Sequence, residues 1–422
     1  MNPTDPELES LRTRRESVAA RALTRSTRRP RDLALCLSGG GYRAALFHLG
    51  AMLRLHETGL LGAVDLVSSV SGGSIVSAWL ATRYLRGRAG PQEGFADWCA
   101  RTDFRAVVVD PFERITARDI RTSAVLRTAV INLVWPSRRV ALLERAYERF
   151  LGGAALSDLP DAPRFVFCAT NLTCGVNWEF SRERVGDFLT GYLREPRRIA
   201  LAHAVAASSS FPPLFGPVRF AAGAGDFMRG RLDGEGDALR DRIELTDGGV
   251  YDNLATEPAL RRYRTVLVSD AGAPFAFAPG RNWLRRLLRY TQVVGNQAVA
   301  LRKRLLFTLT GQGTIRGAYW SLSGGRDPGA DGYSAQLVAE VIARVRTDLD
   351  RFDPDEFRVL VNHGYFACQN GLQAGVEIAS TAPPPRWPYP EHADESQVRR
   401  ALRHSHRRLR PLRWRSGSPA PR

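Results

Sequence analysis

The hydrophobic pattern is clearest over residues 33–85, where two short apolar runs are each followed by a helical pattern. The first run, Leu33–Leu37, is continuous, as is typical of a buried parallel strand. It breaks at three glycines, and residues 44–58 then carry apolar side chains at helical spacing up to Gly59, a helix C-cap signal. Residues 64–70 and 73–85 repeat this pair of patterns. Alternation of this kind predicts parallel βαβ units.

Later parts of the chain predict more elements of the same kinds. Apolar runs that end in loops predict further strands over Arg164–Thr170, Ile243–Thr246 and Thr265–Val268, with Asn177–Ser181 as a hairpin partner of the first. Helical spacing predicts helices over Arg197–Ser210 and Gln336–Phe352.

The pattern divides the chain into three parts. Residues 1–30 are expected to form a flexible arm, residues 31–380 the folded core, and residues 381–422 a disordered tail rich in proline and arginine. Within the core, basic amphipathic helical insertions are expected near 111–151 and 282–309.

Composition is compatible with a large soluble core, because 44% of the 422 residues are hydrophobic. Arginines interrupt every apolar segment before it reaches the roughly 20 residues of a membrane span. The N-terminus lacks the apolar region of a secretory signal, so we expect a cytoplasmic protein that makes peripheral contact with membrane. The five cysteines are scattered without C-x-x-C spacing, which argues against a disulfide framework and a zinc site.

The net charge of +17 is the one compositional feature that indicates a partner. Such a charge favours anionic surfaces, either phospholipid headgroups or nucleic acid. The sequence contains no nucleic-acid-binding motif, so an anionic membrane surface is the expected partner and nucleic acid is not.

Ser71 lies where the second strand pattern meets the second helix pattern. A sharp strand-to-helix turn exposes and positions a serine hydroxyl, which is what a nucleophile requires. The usual G-x-S-x-G spacing has glycine two residues before the serine; here Ser69 takes that place, whereas Gly73 keeps the later one. The alternative is an ordinary turn rich in serine and glycine.

Gly39, Gly40 and Gly41 precede the first helix pattern. Backbone N–H groups at a helix N-terminus can bind the negative charge that acyl transfer builds on a carbonyl oxygen. A phosphate-binding turn is the alternative, but the spacing matches neither G-x-G-x-x-G nor a P-loop. Arg43 follows in the first helical turn, either as a ligand for a substrate phosphate or carboxylate or as a surface arginine.

A base is also needed, and none of the seven histidines ends a predicted strand in a suitable loop. Asp247 does end an apolar run, and two glycines follow it. A carboxylate can act as the base for serine when its pocket raises its pKa. The alternative is a turn aspartate, which Asp-Gly pairs favour.

The order GGG-x-R, serine elbow and D-G-G resembles that of the patatin-like phospholipase family. Further similar blocks, from roughly Arg31 to Leu372 without the insertions, are Cys168–Gly175, Ala206–Phe215, Asp247–Asn253 and Val268–Gly272. The resemblance implies a three-layer α/β/α sandwich around a mostly parallel central sheet. It also implies hydrolysis of acyl esters by a Ser–Asp dyad without metal or cofactor, with Ser71 as nucleophile, Asp247 as base and the three glycines as oxyanion donors.

We therefore expect a phospholipase A-type lipid acyl hydrolase that takes glycerophospholipids at an anionic membrane surface. Two alternatives stay open: a non-catalytic membrane-associated scaffold of the same fold, and an esterase or thioesterase for soluble acyl esters. The insertions Phe112–Arg139 and Asn282–Leu309 are interpreted as interfacial helices that form a lid, or else as helices packed on the domain with a solvated arginine face.

Overall fold

The computed structural model of the chain describes residues 31–119, 137–194, 198–212, 215–228, 230–232, 236–275, 283–326, 330–376 and 382–406. The strands are β1 (Arg31–Leu37), β2 (Leu66–Ser69), β3 (Arg164–Asn171), β4 (Val176–Phe180), β5 (Val185–Asp187), β6 (Gly191–Leu193), β7 (Val218–Arg219), β8 (Phe227–Met228), β9 (Glu244–Asp247), β10 (Tyr263–Asp270) and β11 (Arg316–Ser321). The α-helices are α1 (Gly41–Glu57), α2 (Gly72–Gly87), α3 (Phe95–Arg101), α4 (Asp110–Thr116), α5 (Ser137–Leu151), α6 (Leu201–Ser208), α7 (Gly236–Arg240), α8 (Gly249–Asp252), α9 (Trp283–Gly311), α10 (Ala335–Glu340), α11 (Pro354–Gly375) and α12 (Glu395–Ala401).

The centre of the sheet is parallel, in the order β11-β10-β1-β2-β3. Beyond β3 the sheet continues through β4, β5, β6 and β8, all antiparallel to their neighbours. The short strand β9 pairs antiparallel with both β3 and β7. Because parallel strands end at the same edge of a sheet, the turns after β1, β2 and β10 all lie on one side of the molecule.

The side chains of β1 show the layers on both faces of the sheet. Leu33, Leu35 and Leu37 belong to the larger hydrophobic core, together with residues of α1, α2 and α11. Ala34 and Cys36 belong to a second core, which Leu306 of α9 helps to form. The expected α/β/α sandwich around a mostly parallel sheet is thereby confirmed, and the antiparallel extension is an addition to it.

Two glycines bring the backbones of α1 and α11 into direct contact. A Cβ atom on Gly364 would lie 1.8 Å from the carbonyl oxygen of Phe47, and one on Gly50 would lie 2.0 Å from that of Val361. Neither position accepts a side chain, so this close crossing depends on both glycines.

The predicted helix Gln336–Phe352 is wrong beyond Glu340, where α10 ends. Arg346 is buried and pairs with Asp348 and Glu356, which holds the intervening chain in irregular structure. The 22-residue helix α11 follows and was not predicted; a capping box of Asp353 and Glu356 starts it.

The expected disorder of the tail is wrong for residues 382–406, which the structure describes with α12 and a 3₁₀ turn at Pro390–His392. The side-chain amide of Asn362 on α11 exchanges two hydrogen bonds with the backbone of Tyr389, each of 2.9 Å, and Val398 is fully buried. The arm 1–30 and the end of the tail, 407–422, lie outside the described residues.

Both basic insertions are seen only in part. Residues 120–136 of the first lie outside the described residues, whereas α4 and α5 on either side are helical. The second corresponds to α9, whose side chains 283–285 and 287–288 are likewise outside the description. Among the described helices, none combines the length and apolar composition that crossing a membrane requires.

Gly364→Ala should lower the free energy of unfolding by about 3 kcal/mol, because α1 and α11 must separate to accommodate the new methyl group. Urea unfolding followed by circular dichroism measures this. Gly295→Ala on α9 is the matched control, because a Cβ there would meet nothing within 4 Å. We expect it to be neutral or to stabilise by up to about 1 kcal/mol, and equal losses in both variants would contradict the close crossing.

Candidate active site

Ser71 lies on a strained turn between β2 and α2. Its φ of 53° and ψ of −118° place a non-glycine residue in a region that costs about 1–3 kcal/mol. The two residues that follow must be glycine, because Cβ atoms there would lie 2.1 Å from the carbonyl oxygen of Gly41 and 2.4 Å from that of Leu37. The turn therefore has the geometry of a serine elbow, as predicted from the strand and helix patterns.

Ser69, which replaces the first glycine of the usual elbow motif, fits its position without strain. Its hydroxyl donates to the carbonyl oxygen of Val166 on β3, at 3.3 Å, and accepts from the Ser74 hydroxyl on α2, at 3.1 Å. The serine thus links the elbow to the neighbouring strand and to the helix.

Ser208, at the end of α6, supports the elbow from the other side and was not singled out in the sequence. Its hydroxyl accepts from the backbone N–H of Ser71, at 3.0 Å, and donates to the carbonyl oxygen of Cys168, at 2.7 Å. The N–H of Ser71 is therefore occupied. The only signal for this role was the block Ala206–Phe215, which carried the family resemblance.

The loop Gly39–Gly41, called the glycine loop below, lies directly beside Ser71, since a Cβ on Gly39 would be 3.2 Å from the Ser71 Cβ. The N–H of Gly39 donates to the carbonyl oxygen of Asn253, at 3.1 Å. Gly40 and Gly41 have φ values of 140° and 60°, and their N–H groups donate to no acceptor in the described part of the chain. Two of the three predicted donors are thus available for a ligand, and Gly39 is engaged.

Asp247 reaches the same place from β9. β2 and β9 share one edge of β3, with Ser69 opposite Phe167 and Asp247 opposite Ala169, so the two strands meet end to end. Ser69 is the last residue of β2 that pairs with β3, and Ser71 follows two residues later. Ser71 is therefore level with Asp247 along the edge of β3. The register of β3 brings together two residues that are far apart in the sequence.

Asp247 is 2% exposed, and this burial raises the pKa of its carboxyl group to about 6. The N–H of Gly249 donates to Oδ1 at 2.7 Å and, with the nearby Ser71 hydroxyl, partly lowers the pKa. Oδ2 forms no hydrogen bond of normal geometry within the described residues. The Ser71 hydroxyl is close enough to the carboxylate to lower its pKa, but it is not hydrogen-bonded to Oδ2. At pH 7 the carboxylate is ionised and has one oxygen open.

Asn253 fills the space between the glycine loop and the Asp247 loop, and it was not predicted as a site residue. Its Oδ1 lies 2.5 Å and 2.6 Å from the positions where Cβ atoms on Gly39 and Gly249 would be. Its backbone carbonyl accepts from Gly39, as described above. It lies in the Asp247–Asn253 block of the resemblance, which was the only signal in the sequence.

Arg43 is 1% exposed, so the surface alternative is wrong. Its guanidinium donates to the carbonyl oxygens of Ala343, Val345 and Ala271, at 3.3, 3.0 and 3.0 Å. Burial lowers its pKa to about 10, which leaves it charged at neutral pH. Arg43 thus ties α1 to two loops, and these contacts give no support to a substrate-binding role.

One protein family and two solved structures are similar to this chain. The family model described as "Patatin-like phospholipase" matches residues 35–260. The structure of VipD from Legionella pneumophila is 14% identical over 83% of this chain and 69% of that chain, with a TM-score of 0.37. Human GIVD cytosolic phospholipase A2 is 14% identical over 87% of this chain, which spans only 63% of the human chain, with a TM-score of 0.48. A comparison with curated protein sequences gave no match.

Asp247→Asn should stabilise the protein at neutral pH. The pKa of the carboxyl group is about 6 in the folded protein and near 3.9 in an unfolded chain. At pH values between the two, the folded chain therefore binds more protons than the unfolded chain. Wild-type stability therefore falls as pH rises through that window. The stability advantage of the variant should grow by about 2 kcal/mol between pH 4.5 and 7.5.

Urea unfolding at the two pH values measures this difference. Asp331→Asn is the control, because Asp331 is exposed and should show no such change. A stability difference between Asp247→Asn and wild type that does not depend on pH would contradict the raised pKa.

Proposed function

The chain belongs to the patatin-like phospholipase family, and from this premise we propose that it cleaves carboxylic esters of glycerophospholipids through Ser71 and Asp247. Family membership supports lipid hydrolase activity in general. The assignment to these residues is supported above all by one observation: the serine elbow after β2 and the carboxylate at the end of β9 meet along one edge of β3.

In the proposed reaction, Ser71 Oγ attacks the ester carbonyl carbon while its proton passes to Oδ2 of Asp247. A base with a pKa near 6 is ionised at neutral pH and still accepts a proton in the transition state. The N–H groups of Gly40 and Gly41 stabilise the oxyanion, because they have no acceptor among the described residues and lie at the start of α1.

Collapse of the tetrahedral intermediate breaks the bond to the alcohol, which takes the proton from Asp247 and leaves. The acyl group remains on Ser71 Oγ. Water then attacks the acyl-enzyme, with Asp247 again as base, and the second collapse returns the proton to Ser71 and releases the fatty acid. Every step uses groups of this chain, the ester and water.

Ser71→Ala and Asp247→Asn should each lower fatty acid release from mixed phospholipid vesicles by at least about 10³-fold, because each removes a group that takes part in bond formation or proton transfer. Release is measured for wild type and variants, with a short-chain nitrophenyl ester in parallel. Ser157→Ala and Asp331→Asn, both on the surface, control for the substitutions themselves and should behave as wild type.

Each other outcome has a definite meaning. Cleavage of the short ester alone favours an esterase or thioesterase for soluble substrates. Folded variants as active as wild type contradict the assignment of Ser71 and Asp247. No turnover of either substrate by wild type favours the non-catalytic scaffold.

We further propose that the outer face of α9 binds an anionic phospholipid surface. The 29 residues of this helix include six basic residues and no acidic one. Tyr290, Val294 and Leu301 lie on one face of it and are 65%, 70% and 58% exposed. An exposed apolar face on a helix of positive charge has the composition of an interfacial helix.

The opposite face of α9 is fixed to the loops around the site. Arg302 pairs with Asp252 at 3.5 Å and with Glu257 at 2.5 Å, and Lys303 pairs with Asp270 at 2.6 Å. Asp252 is the last residue of α8, which begins two residues after Asp247, and Asp270 ends β10. A bilayer bound to the outer face would therefore lie beside the proposed active site.

The triple variant Tyr290→Ser/Val294→Ser/Leu301→Ser should bind anionic vesicles at least about tenfold more weakly than wild type, because three apolar side chains no longer enter the lipid. Sedimentation with anionic and neutral vesicles measures binding. Leu172→Ser, at another exposed apolar residue, should leave binding unchanged, and all variants should cleave the soluble ester normally. Equal, weak binding of wild type to both kinds of vesicle would contradict the proposal.

A further inference from the structure

His48 lies on α1 beneath the glycine loop and has no exposed surface. Its Nε2 is 2.9 Å from the carbonyl oxygen of Ser38, and its Nδ1 is 2.7 Å from the hydroxyl oxygen of Ser269. A carbonyl oxygen only accepts, so Nε2 carries the proton. Burial lowers the pKa of His48 to about 4, which keeps the ring neutral at physiological pH, and Nδ1 therefore accepts from Ser269.

Ser38, which His48 contacts, is the junction of three elements at the site. Its carbonyl oxygen also accepts from the N–H of Gly73 on α2, the helix that follows Ser71, at 3.2 Å. Its N–H donates to the carbonyl oxygen of Ser269 at 3.1 Å, and its hydroxyl accepts from the N–H of Ala271 at 2.7 Å. The position of Ser38 thus relates the end of β1 to the end of β10 and to α2.

The peptide unit between Ser38 and Gly39 is held at both of its polar ends. His48 and Gly73 bind its oxygen, and Asn253 accepts from its N–H. The peptide unit is planar, so these contacts fix the direction in which the chain enters Gly40. The glycines themselves have the widest conformational freedom of any residue, and the loop therefore depends on such external contacts for its shape.

We propose that His48 is a positioning residue for the oxyanion-binding loop: its Nε2–H holds the Ser38 carbonyl and thereby aims the N–H groups of Gly40 and Gly41. This inference rests on the proposed function. His48 does not act as the base, because both of its ring nitrogens are engaged away from Ser71. Misplacing preorganised donors weakens transition-state stabilisation more than substrate binding, so the effect belongs in kcat.

The test compares two variants that differ in reach. The amide nitrogen of His48→Gln can take the place of Nε2 and donate to Ser38, whereas the shorter side chain of His48→Asn reaches only the place of Nδ1. His48→Asn should lower kcat for the nitrophenyl ester about 10–100-fold with KM changed less than about threefold. His48→Gln should keep kcat within about fivefold of wild type.

His363 provides a matched control on α11. It is also buried, and its Nε2 donates to the carbonyl oxygen of Leu322 at 2.8 Å, away from the glycine loop. His363→Asn and His363→Gln should lower Tm about as much as the His48 variants and leave kcat within about twofold of wild type. A trifluoromethyl ketone, which forms an oxyanion on the nucleophile, should bind His48→Asn more weakly by about the factor lost in kcat.

Three results would overturn the inference. They are a folded His48→Asn variant with the kcat of wild type, equal kcat losses in His48→Asn and His48→Gln, and losses in the His363 variants as large as those at His48. A wild type that cleaves no ester would instead contradict the proposed function, and the inference would fall with it.

Discussion

One edge of β3 is shared by two strands that approach each other from opposite directions, and the geometry of the candidate site depends on this arrangement. β2 occupies the first part of the edge and β9 the last part, so their ends face each other across a gap of one residue pair. The backbone hydrogen bonds of the sheet set this gap. The relation between Ser71 and Asp247 is therefore as rigid as the sheet itself, even though both residues lie in turns.

Small residues allow the remaining site elements to come equally close. The elbow and the glycine loop touch through backbone atoms, since a Cβ on Gly72 would lie 2.1 Å from the Gly41 carbonyl oxygen. The hydroxyl groups of Ser69 and Ser208 then bind backbone groups of neighbouring elements, and the Ser74 hydroxyl donates to Ser69. A site assembled in this way has little room to relax, which would suit the proposed oxyanion donors, because such donors must be in place before charge develops.

Features that depend on residues close together in the sequence were predictable. Features that depend on residues far apart in the sequence, brought together by the fold, were not. The strand, turn and helix around Ser71 and the position of Asp247 after an apolar run follow from local patterns. The partners of Ser208, Asn253 and Arg43 belong to other elements, so no local pattern identifies their roles. The tail was assigned to disorder from its proline and arginine content, because the sequence does not show that Asn362 would bind Tyr389. For α11, the Asp353–Pro354 pair is a local helix start signal, so this helix could be predicted from the sequence.

The close crossing of α1 and α11 has a consequence for the order in which the protein can be assembled during synthesis. β1 pairs with β10, and α1 contacts a helix so distant that Arg54 donates to Gln369, 315 positions later. The unit formed by β1 and α1 thus lacks these neighbours until the chain has been made as far as α11. Until then the apolar face of α1 is uncovered, and contacts of such long range form slowly. The nascent chain is therefore expected to need chaperones, and truncations that remove α11 should be far more harmful than the loss of one helix suggests.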